Sequence, residues 1–280
     1  MSELRLIAQS LRFAEAPRWR GDRLWFSDVH DYRLKTVTLD GIVAVAATVP
    51  SRPSGLGFLP DGRLLMATAL DCKLWTVTAA GVVTEIANLS PLTQGVLNDM
   101  VVDGLGRAFV GDTGFKMGTQ APRPGRIIYW KEGEEARIVA EDLVFPNGCV
   151  VTPDTSRFLI AETMAKRISA FTISNDGCLA DRTVFATLES PPDGLCMDVE
   201  GAVWAGLPHE GAFVRINADG TIVRRVQSAA PFAVTCALGG AARRTLFLCS
   251  AYTDLERLGK GETTARIDAL EVEAAGAGWP

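Results

Sequence analysis

The sequence predicts an all-β fold: one six-bladed β-propeller with four antiparallel strands per blade, covering residues 1–280 as a single domain. Two observations carry this prediction, a short strand pattern that occurs six times and the regular distance between its copies. The copies read RLWFSD, RLLMAT, RAFVGD, RFLIAE, AVWAG and TLFLCS. One apolar position in each serves as a marker: Trp25, Leu65, Phe109, Leu159, Trp204 and Phe247. The intervals of 40, 44, 50, 45 and 43 residues are typical of propeller blades.

The remainder of each period agrees with a blade. Hairpin turns such as PDGR (60–63) precede several copies, and further β-like segments such as KLWTVTAAG follow them. Long helical periodicity is absent, while short runs rich in Val, Ile, Leu and Phe dominate. We expect the N-terminal LRLIAQ and the C-terminal ARIDALEV to complete one blade together. A β-sandwich or two small barrels would not require such regular spacing.

Composition narrows the range of partners. The chain has 28 basic and 33 acidic residues, and the net charge of −5 argues against nucleic acid. It shows neither a signal-peptide pattern nor a stretch of about 20 apolar residues that could span a membrane. Its six cysteines lack the paired spacing of a zinc site, which favours buried free thiols. We expect a cytoplasmic protein, a monomer or small homo-oligomer, with no membrane partner.

A possible site emerges when the repeats are aligned. In a propeller, the innermost strand of each blade begins beside the central axis. Counting back 10 to 12 residues from each marker finds six oxygen-bearing side chains: Glu15, Ser54, Asn98, Asn147, Asp193 and Thr235. Taken singly, PNG (146–148), PPDG (191–194) and LND (97–99) read as turns. Taken together, six polar groups around one axis would be costly unless something satisfied them.

A divalent cation satisfies such a set. Carboxylate and carboxamide oxygens suit Ca²⁺, Mg²⁺ or Mn²⁺, and Ca²⁺ is our first expectation. Zn²⁺ is compatible with an open catalytic site but usually recruits His or Cys. The chain has only His30 and His209, and neither is in phase with the six positions.

Five segments, in order and at blade spacing, resemble the regucalcin/gluconolactonase/luciferin-regenerating family of six-bladed propellers. They are EAPRW (15–19), LNDMVVDGLGRAFVGD (97–112), FPNGCVVTPD (145–154), PPDGLCMDVEGAVWAG (191–206) and VTCALGG (234–240).

The resemblance implies that Glu15, Asn147 and Asp193 are metal ligands and that Asn98 binds the metal, a water on it or the substrate. Ser54 and Thr235 are then expected behind the ligands or along the channel. Where some sugar-lactone-hydrolysing relatives carry a substrate-binding arginine, this chain has Val96. The ligand set is therefore intact, whereas the substrate wall is altered.

The working hypothesis is hydrolysis of a cyclic ester, with the metal polarising the carbonyl. Asp193 would activate water or attack directly, and Asn98 would help to hold the polarised oxygen or the water. Further candidates for substrate contact are Asp99, Val96, Lys116, Arg123 and His209, and residues 111–126 could form a lid.

Three alternatives stay open at this stage. One is a phosphotriesterase resembling diisopropyl fluorophosphatase, which shares the Glu/Asn/Asn/Asp arrangement. The second is a non-enzymatic platform for protein binding, because a fold does not determine a function. The third is calcium storage or signalling.

Overall fold

The computed structural model describes residues 3–279, in which six antiparallel sheets surround a central channel. The innermost strands of successive blades contact one another, and that of the sixth blade contacts that of the first. The predicted six-bladed β-propeller is confirmed. The strands are β1 (Arg5–Leu11), β2 (Ala14–Arg20), β3 (Arg23–Asp28), β4 (Arg33–Thr38), β5 (Val43–Thr48), β6 (Pro53–Phe58), β7 (Leu64–Thr68), β8 (Lys73–Val77), β9 (Val83–Asn88), β10 (Leu97–Val102), β11 (Ala108–Asp112), β12 (Gly125–Trp130), β13 (Arg137–Leu143), β14 (Pro146–Val151), β15 (Arg157–Glu162), β16 (Arg167–Ile173), β17 (Leu179–Thr187), β18 (Leu195–Asp198), β19 (Val203–Leu207), β20 (Ala212–Ile216), β21 (Ile222–Gln227), β22 (Phe232–Gly239), β23 (Thr245–Tyr252), β24 (Thr264–Glu271) and β25 (Gly276–Ala277).

Blades 1 to 5 each take four strands in chain order, beginning with β2, β6, β10, β14 and β18 as their innermost strands. Blade 6 combines β22, β23 and β24 with β1 as its outermost strand. The pairing of Arg5 with Ala269 confirms that the first and last long strands share a blade. All six sequence markers lie on the second strand of a blade, namely β3, β7, β11, β15, β19 and β23.

The helical elements are few and short. Three-residue 3₁₀ turns follow the second strands of blades 1, 4 and 5, and a fourth precedes β10. One helix, α1 (Leu255–Gly259), connects β23 to β24. No helix within residues 3–279 is long and apolar enough to cross a membrane.

Acidic residues end the second strands of three blades and fix the chain entering the innermost strand. Asp28 accepts backbone N–H bonds from Arg12 and Phe13 just before β2. Asp112 accepts them from the residues just before β10, and Glu162 accepts one from Val144 just before β14. Each carboxylate satisfies buried donors that no strand partner could reach.

The far end of the channel is covered by residues 272–279, a feature that the sequence did not predict. Strand β25 pairs with Met197 and Asp198 of β18, so blade 5 has a fifth strand. Beyond it, Trp279 exchanges two backbone hydrogen bonds of 2.8 Å with Val151 of blade 4. The Trp279 ring then lies against Gly104 of blade 3, where an added Cβ would be 2.9 Å from it.

The cores lie between blades and are formed by the alternate apolar residues of the strands, among them the fully buried Phe109, Phe158 and Trp204. All six cysteines are free. Five are buried as predicted, whereas Cys178 is exposed in the turn between β16 and β17.

Candidate metal and substrate site

The residues facing the channel mouth are aimed there by bulges in the innermost strands. In blades 2, 3 and 4, one extra residue is inserted between Pro53 and Leu56, Leu97 and Met100, and Pro146 and Cys149. These insertions contain Ser54, Asn98 and Asn147. In blade 1 the same shift follows Glu15, and Ala16 has a positive φ of 47°. A bulge bends a strand and turns its side chain out of the usual alternation.

The glycines after these residues do not form turns. Neither Gly148 nor Gly194 has a positive φ. A Cβ at Gly148 would lie 2.5 Å from the Asp193 carbonyl oxygen, and one at Gly194 would lie 1.9 Å from Thr235 Oγ1. The turn reading that PNG and PPDG would receive singly does not hold, because each glycine permits close contact with the next blade.

Five of the six phased residues line one cavity of about 640 Å³ at the channel mouth: Glu15, Ser54, Asn98, Asn147 and Asp193. Thr235 does not line it. That residue is buried and supports the backbone beside Asp193 through its contact with Gly194.

Hydrogen bonds orient the two carboxamides of the set. Asn98 Nδ2 donates to the Pro146 carbonyl oxygen at 3.2 Å, and Asn147 Nδ2 donates to Thr163 Oγ1 at 3.2 Å. With both amide nitrogens so engaged, the amide oxygens remain as acceptors. Asp193 Oδ1 is buried and has no hydrogen-bond partner.

The two carboxylates are held close together at an electrostatic cost. Burial, followed by the charges of Asp193 and Asp99, raises the pKa of Glu15 well above its ordinary value. Burial and the charge of Asp99 raise the pKa of Asp193 to about 7. Like charges in a poorly hydrated site oppose ionisation, and a cation bound between them reverses that effect.

The donor set fits a hard divalent cation. Within residues 3–279, no cluster of three or more His, Cys, Asp or Glu side chains is arranged to hold a metal ion. The set here instead combines two carboxylates with two carboxamide oxygens, and the unpartnered Asp193 Oδ1 is its clearest vacant donor. Oxygen donors of this kind suit Ca²⁺, Mg²⁺ or Mn²⁺.

Beneath the site, Arg18 joins three innermost strands. Its side chain is 4% exposed and donates to the carbonyl oxygens of Leu56 at 2.8 Å and Met100 at 2.6 Å. It also forms an ion pair with Asp99 at 3.1 Å. Burial raises the pKa of Asp99, and Arg18 opposes that rise. Arg18 was not among the site residues predicted from the sequence, although it lies only three residues after Glu15 on the same strand.

The other predicted substrate contacts divide into two groups. Val96, Lys116 and His209 line the cavity, as do residues 117–119 of the 111–126 segment. Asp99 and Arg123 are outside the lining, the first paired with Arg18 and the second exposed.

Several lining residues were not singled out from the sequence. Phe13, Phe115, Phe145 and Phe232 supply aromatic walls, Arg52 supplies a positive charge, and α1 contributes Leu255, Glu256, Leu258 and Gly259. Arg52 could have been found by counting, since it precedes Ser54 by two residues just as Val96 precedes Asn98.

Comparisons with known proteins identify relatives of this chain. The chain is 26% identical over 271 residues to pentonolactonase XacC of Haloferax volcanii, covering 91% of this chain and 87% of that protein. It is 23% identical to a 6-deoxy-6-sulfogluconolactonase of Pseudomonas putida, covering 88% and 86% of the two chains.

Among solved structures, regucalcin from Agrobacterium tumefaciens, described as a calcium-binding protein, superposes with a TM-score of 0.82 at 22% identity. That superposition covers 98% of this chain and 95% of the other, and it supports the fold. The profile of the SMP-30/Gluconolactonase/LRE-like region matches residues 13–252. The chain therefore belongs to the SMP-30/gluconolactonase/LRE-like family.

Proposed function

We propose that the protein is a metal-dependent lactonase that hydrolyses a cyclic ester at the channel mouth. The observation that carries the proposal is the convergence of Glu15, Asn98, Asn147 and Asp193 on one cavity, with Asp193 Oδ1 left without a partner. Family membership supports the reaction class, and two relatives of this chain are named for lactone substrates.

The four residues named would hold one divalent cation per chain, with calcium as the first expectation and magnesium, manganese or zinc as alternatives. When bound, the cation supplies Lewis-acid polarisation of an ester carbonyl. The relationship to regucalcin motivates the choice of calcium.

The chain's own groups perform the remaining steps. Asp193 accepts a proton from the attacking water or attacks the carbonyl carbon itself. Asn98 accepts a hydrogen bond from that water through Oδ1, because its Nδ2 is bonded to the Pro146 carbonyl. When water attacks, the ring C–O bond then breaks, the ring oxygen takes up the proton and the product leaves as a hydroxy acid. When Asp193 attacks, opening of the ring leaves an acyl group on its carboxylate, and a water molecule must hydrolyse that anhydride before the hydroxy acid leaves.

The test is initial-rate hydrolysis across a panel of sugar, aliphatic and aromatic lactones, followed by proton release. Each substrate is run with metal-stripped protein and with protein restored with Ca²⁺, Mn²⁺, Mg²⁺ or Zn²⁺. We expect turnover only after metal is restored, which would also identify the competent ion.

An organophosphate triester belongs in the same panel. Its hydrolysis without any lactone turnover would favour the phosphotriesterase alternative. No turnover with any ion or substrate would contradict an enzymatic role and favour a binding protein.

A further inference from the structure

Arg52 stands out among the positive side chains of the protein. It lines the cavity at the channel mouth and is partly buried. In the part of the chain that the structure describes, every other buried or half-buried arginine has a hydrogen bond, an ion pair or an aromatic ring as partner, and Arg52 has none. Removing an unpaired charge from water lowers the stability of the folded state. An unpaired arginine in a cavity therefore indicates a role other than stabilising the fold.

The surroundings of Arg52 offer no carboxylate to neutralise it. Burial lowers the pKa of its guanidinium, and the only group that opposes this is Tyr32. His30, on the same cavity wall, has its pKa lowered by burial and then by Arg52 and Arg12. Asp28 opposes that lowering, but its carboxylate is paired with Lys35 Nζ at 2.7 Å. Glu256 also lines the cavity, but its carboxylate is bonded to Lys260 Nζ at 2.7 Å. This wall is therefore electropositive.

The remaining walls are largely apolar. Leu70, Val96, Phe115, Phe145 and Phe232 all face the same cavity. These side chains exclude water from the body of a ligand and donate no hydrogen bonds to it. Lys116 and His209 also line the cavity, but both are exposed to solvent, so Arg52 is the partly buried cation of the wall above the floor formed by Glu15 and Asp193.

We propose that Arg52 binds an anionic oxygen group of the substrate, so that the preferred substrate is a lactone bearing a carboxylate, sulfonate or phosphate and otherwise apolar. This inference rests on the proposed lactonase function for the identity of the reacting group. The guanidinium has a planar array of N–H donors that matches such anions with two parallel hydrogen bonds. Binding then neutralises the charge that folding leaves unpaired.

The kinetic test uses a carboxymethyl-substituted γ-lactone and its carboxamide, which differ in charge but not in the reacting ring. The variants are Arg52→Met, Arg52→Lys and, as a matched control, Arg157→Met, which replaces an exposed arginine outside the cavity. We expect Arg52→Met to lower kcat/KM for the carboxylate about 10- to 100-fold, mainly through KM, because the contact is distant from the reacting carbonyl. The carboxamide should change less than about 3-fold, Arg52→Lys should recover part of the loss, and the control should match the wild type.

A stability measurement accompanies the kinetics. Because Arg52 has no partner in the folded protein, Arg52→Met should melt at the same temperature as the wild type or higher. Equal loss of turnover on the charged and neutral lactones would overturn the role of Arg52 while leaving the lactonase proposal intact.

A ligand-binding experiment tests the role of Arg52 even if no lactone is hydrolysed. Phenylacetate and phenylacetamide are titrated into the wild type and Arg52→Met, and melting temperature is recorded. Stabilisation by phenylacetate that disappears in Arg52→Met supports anion binding at Arg52, even if the proposed reaction is wrong. Equal stabilisation of both proteins, or of neither, overturns it.

Discussion

At the mouth of the central channel, five of the phased oxygen-bearing side chains face an open cavity, whereas at the other end residues 272–279 lie across the channel. The same innermost strands run between the two ends. Near their starts they carry Glu15, Asn98 and Asn147, and near their ends they enclose a small cavity of about 160 Å³ beside Trp279.

Between the two ends, Arg18 and Asp99 form a buried ionic layer. Above this layer Asp193 Oδ1 has no hydrogen-bond partner, whereas the Arg18 guanidinium within it is bonded to two neighbouring innermost strands, β6 and β10. Substitutions at the channel mouth should therefore affect ligand binding and turnover. Substitutions in the ionic layer and at the covered end should affect the stability of the fold.

The largest expected effect is on turnover, at Asp193. Asp193→Asn keeps the side-chain shape but removes a negative ligand and the proton acceptor, so kcat should fall about 10³- to 10⁴-fold. Metal titration should show weaker binding, while thermal melting should show a folded protein. Glu135→Gln, at an exposed carboxylate away from the cavity, is the control. Full activity with bound metal in Asp193→Asn would disprove the role given to this residue.

The next largest effect is on stability, in the ionic layer. Arg18→Met leaves Asp99 buried without its partner and three strands without a common donor, which should cost about 3 to 5 kcal/mol in the free energy of unfolding. Chemical denaturation measures the loss. The double variant with Asp99→Leu should recover part of it, because the orphaned charge is then removed. An Arg18→Met protein as stable as the wild type would show that the layer contributes little.

Glu162 holds the chain that enters β14 and allows a pH-dependent test of how much this contact stabilises the fold. Although burial opposes its ionisation, hydrogen bonds from Arg167 and Ser169 help to lower the pKa of Glu162 to about 2. Because that value is below the unfolded one, its stabilisation is present above about pH 4.5 and is lost as pH falls through about 2.

Glu162→Gln should cost on the order of 2 kcal/mol near neutral pH, and the difference from the wild type should shrink toward pH 2. Denaturation at several pH values measures that difference. A gap that stayed constant from pH 7 to pH 2 would show that the ionised carboxylate is not its source.

The smallest effect is expected at the covered end. Trp279 is 36% exposed, so Trp279→Ala should cost only about 1 to 2 kcal/mol, less than the loss of a fully buried aromatic side chain. Metal affinity and kcat should match the wild type. A change in either would mean that the two ends are energetically connected through the channel.

The repeated parts of the molecule could be predicted from the sequence. Each marker lies on a second strand because four-stranded blades repeat hydrophobic alternation at a nearly constant interval. The same periodicity brought Glu15, Asn98, Asn147 and Asp193 to one cavity. A position within a repeat indicates a position in space, so phase was sufficient to predict that these residues and Ser54 lie together. Phase also selected Thr235, which does not line the cavity.

Features specific to one blade could not be predicted in this way. Trp279 contacts blades 3 and 4 after the last repeat has ended, and no period connects it to Val151. Arg52 has no partner because of the side chains that other elements place around it, and the repeats do not indicate which side chains these are. Taken singly, the Asn-Gly and Asp-Gly pairs resemble turns, because close contact with a neighbouring blade and a tight turn favour the same residue.

The shared sixth blade determines when the ring can close. Strand β1 is synthesised first, but its partner β24 begins at Thr264. The two strands can therefore pair only after nearly the whole chain has been synthesised. Closing so long a loop is slow rather than greatly unfavourable, since each doubling of its length costs about 0.6 kcal/mol. During synthesis the edges of β1 and of the growing array therefore remain unpaired, and this is when the protein is most exposed to wrong strand pairing.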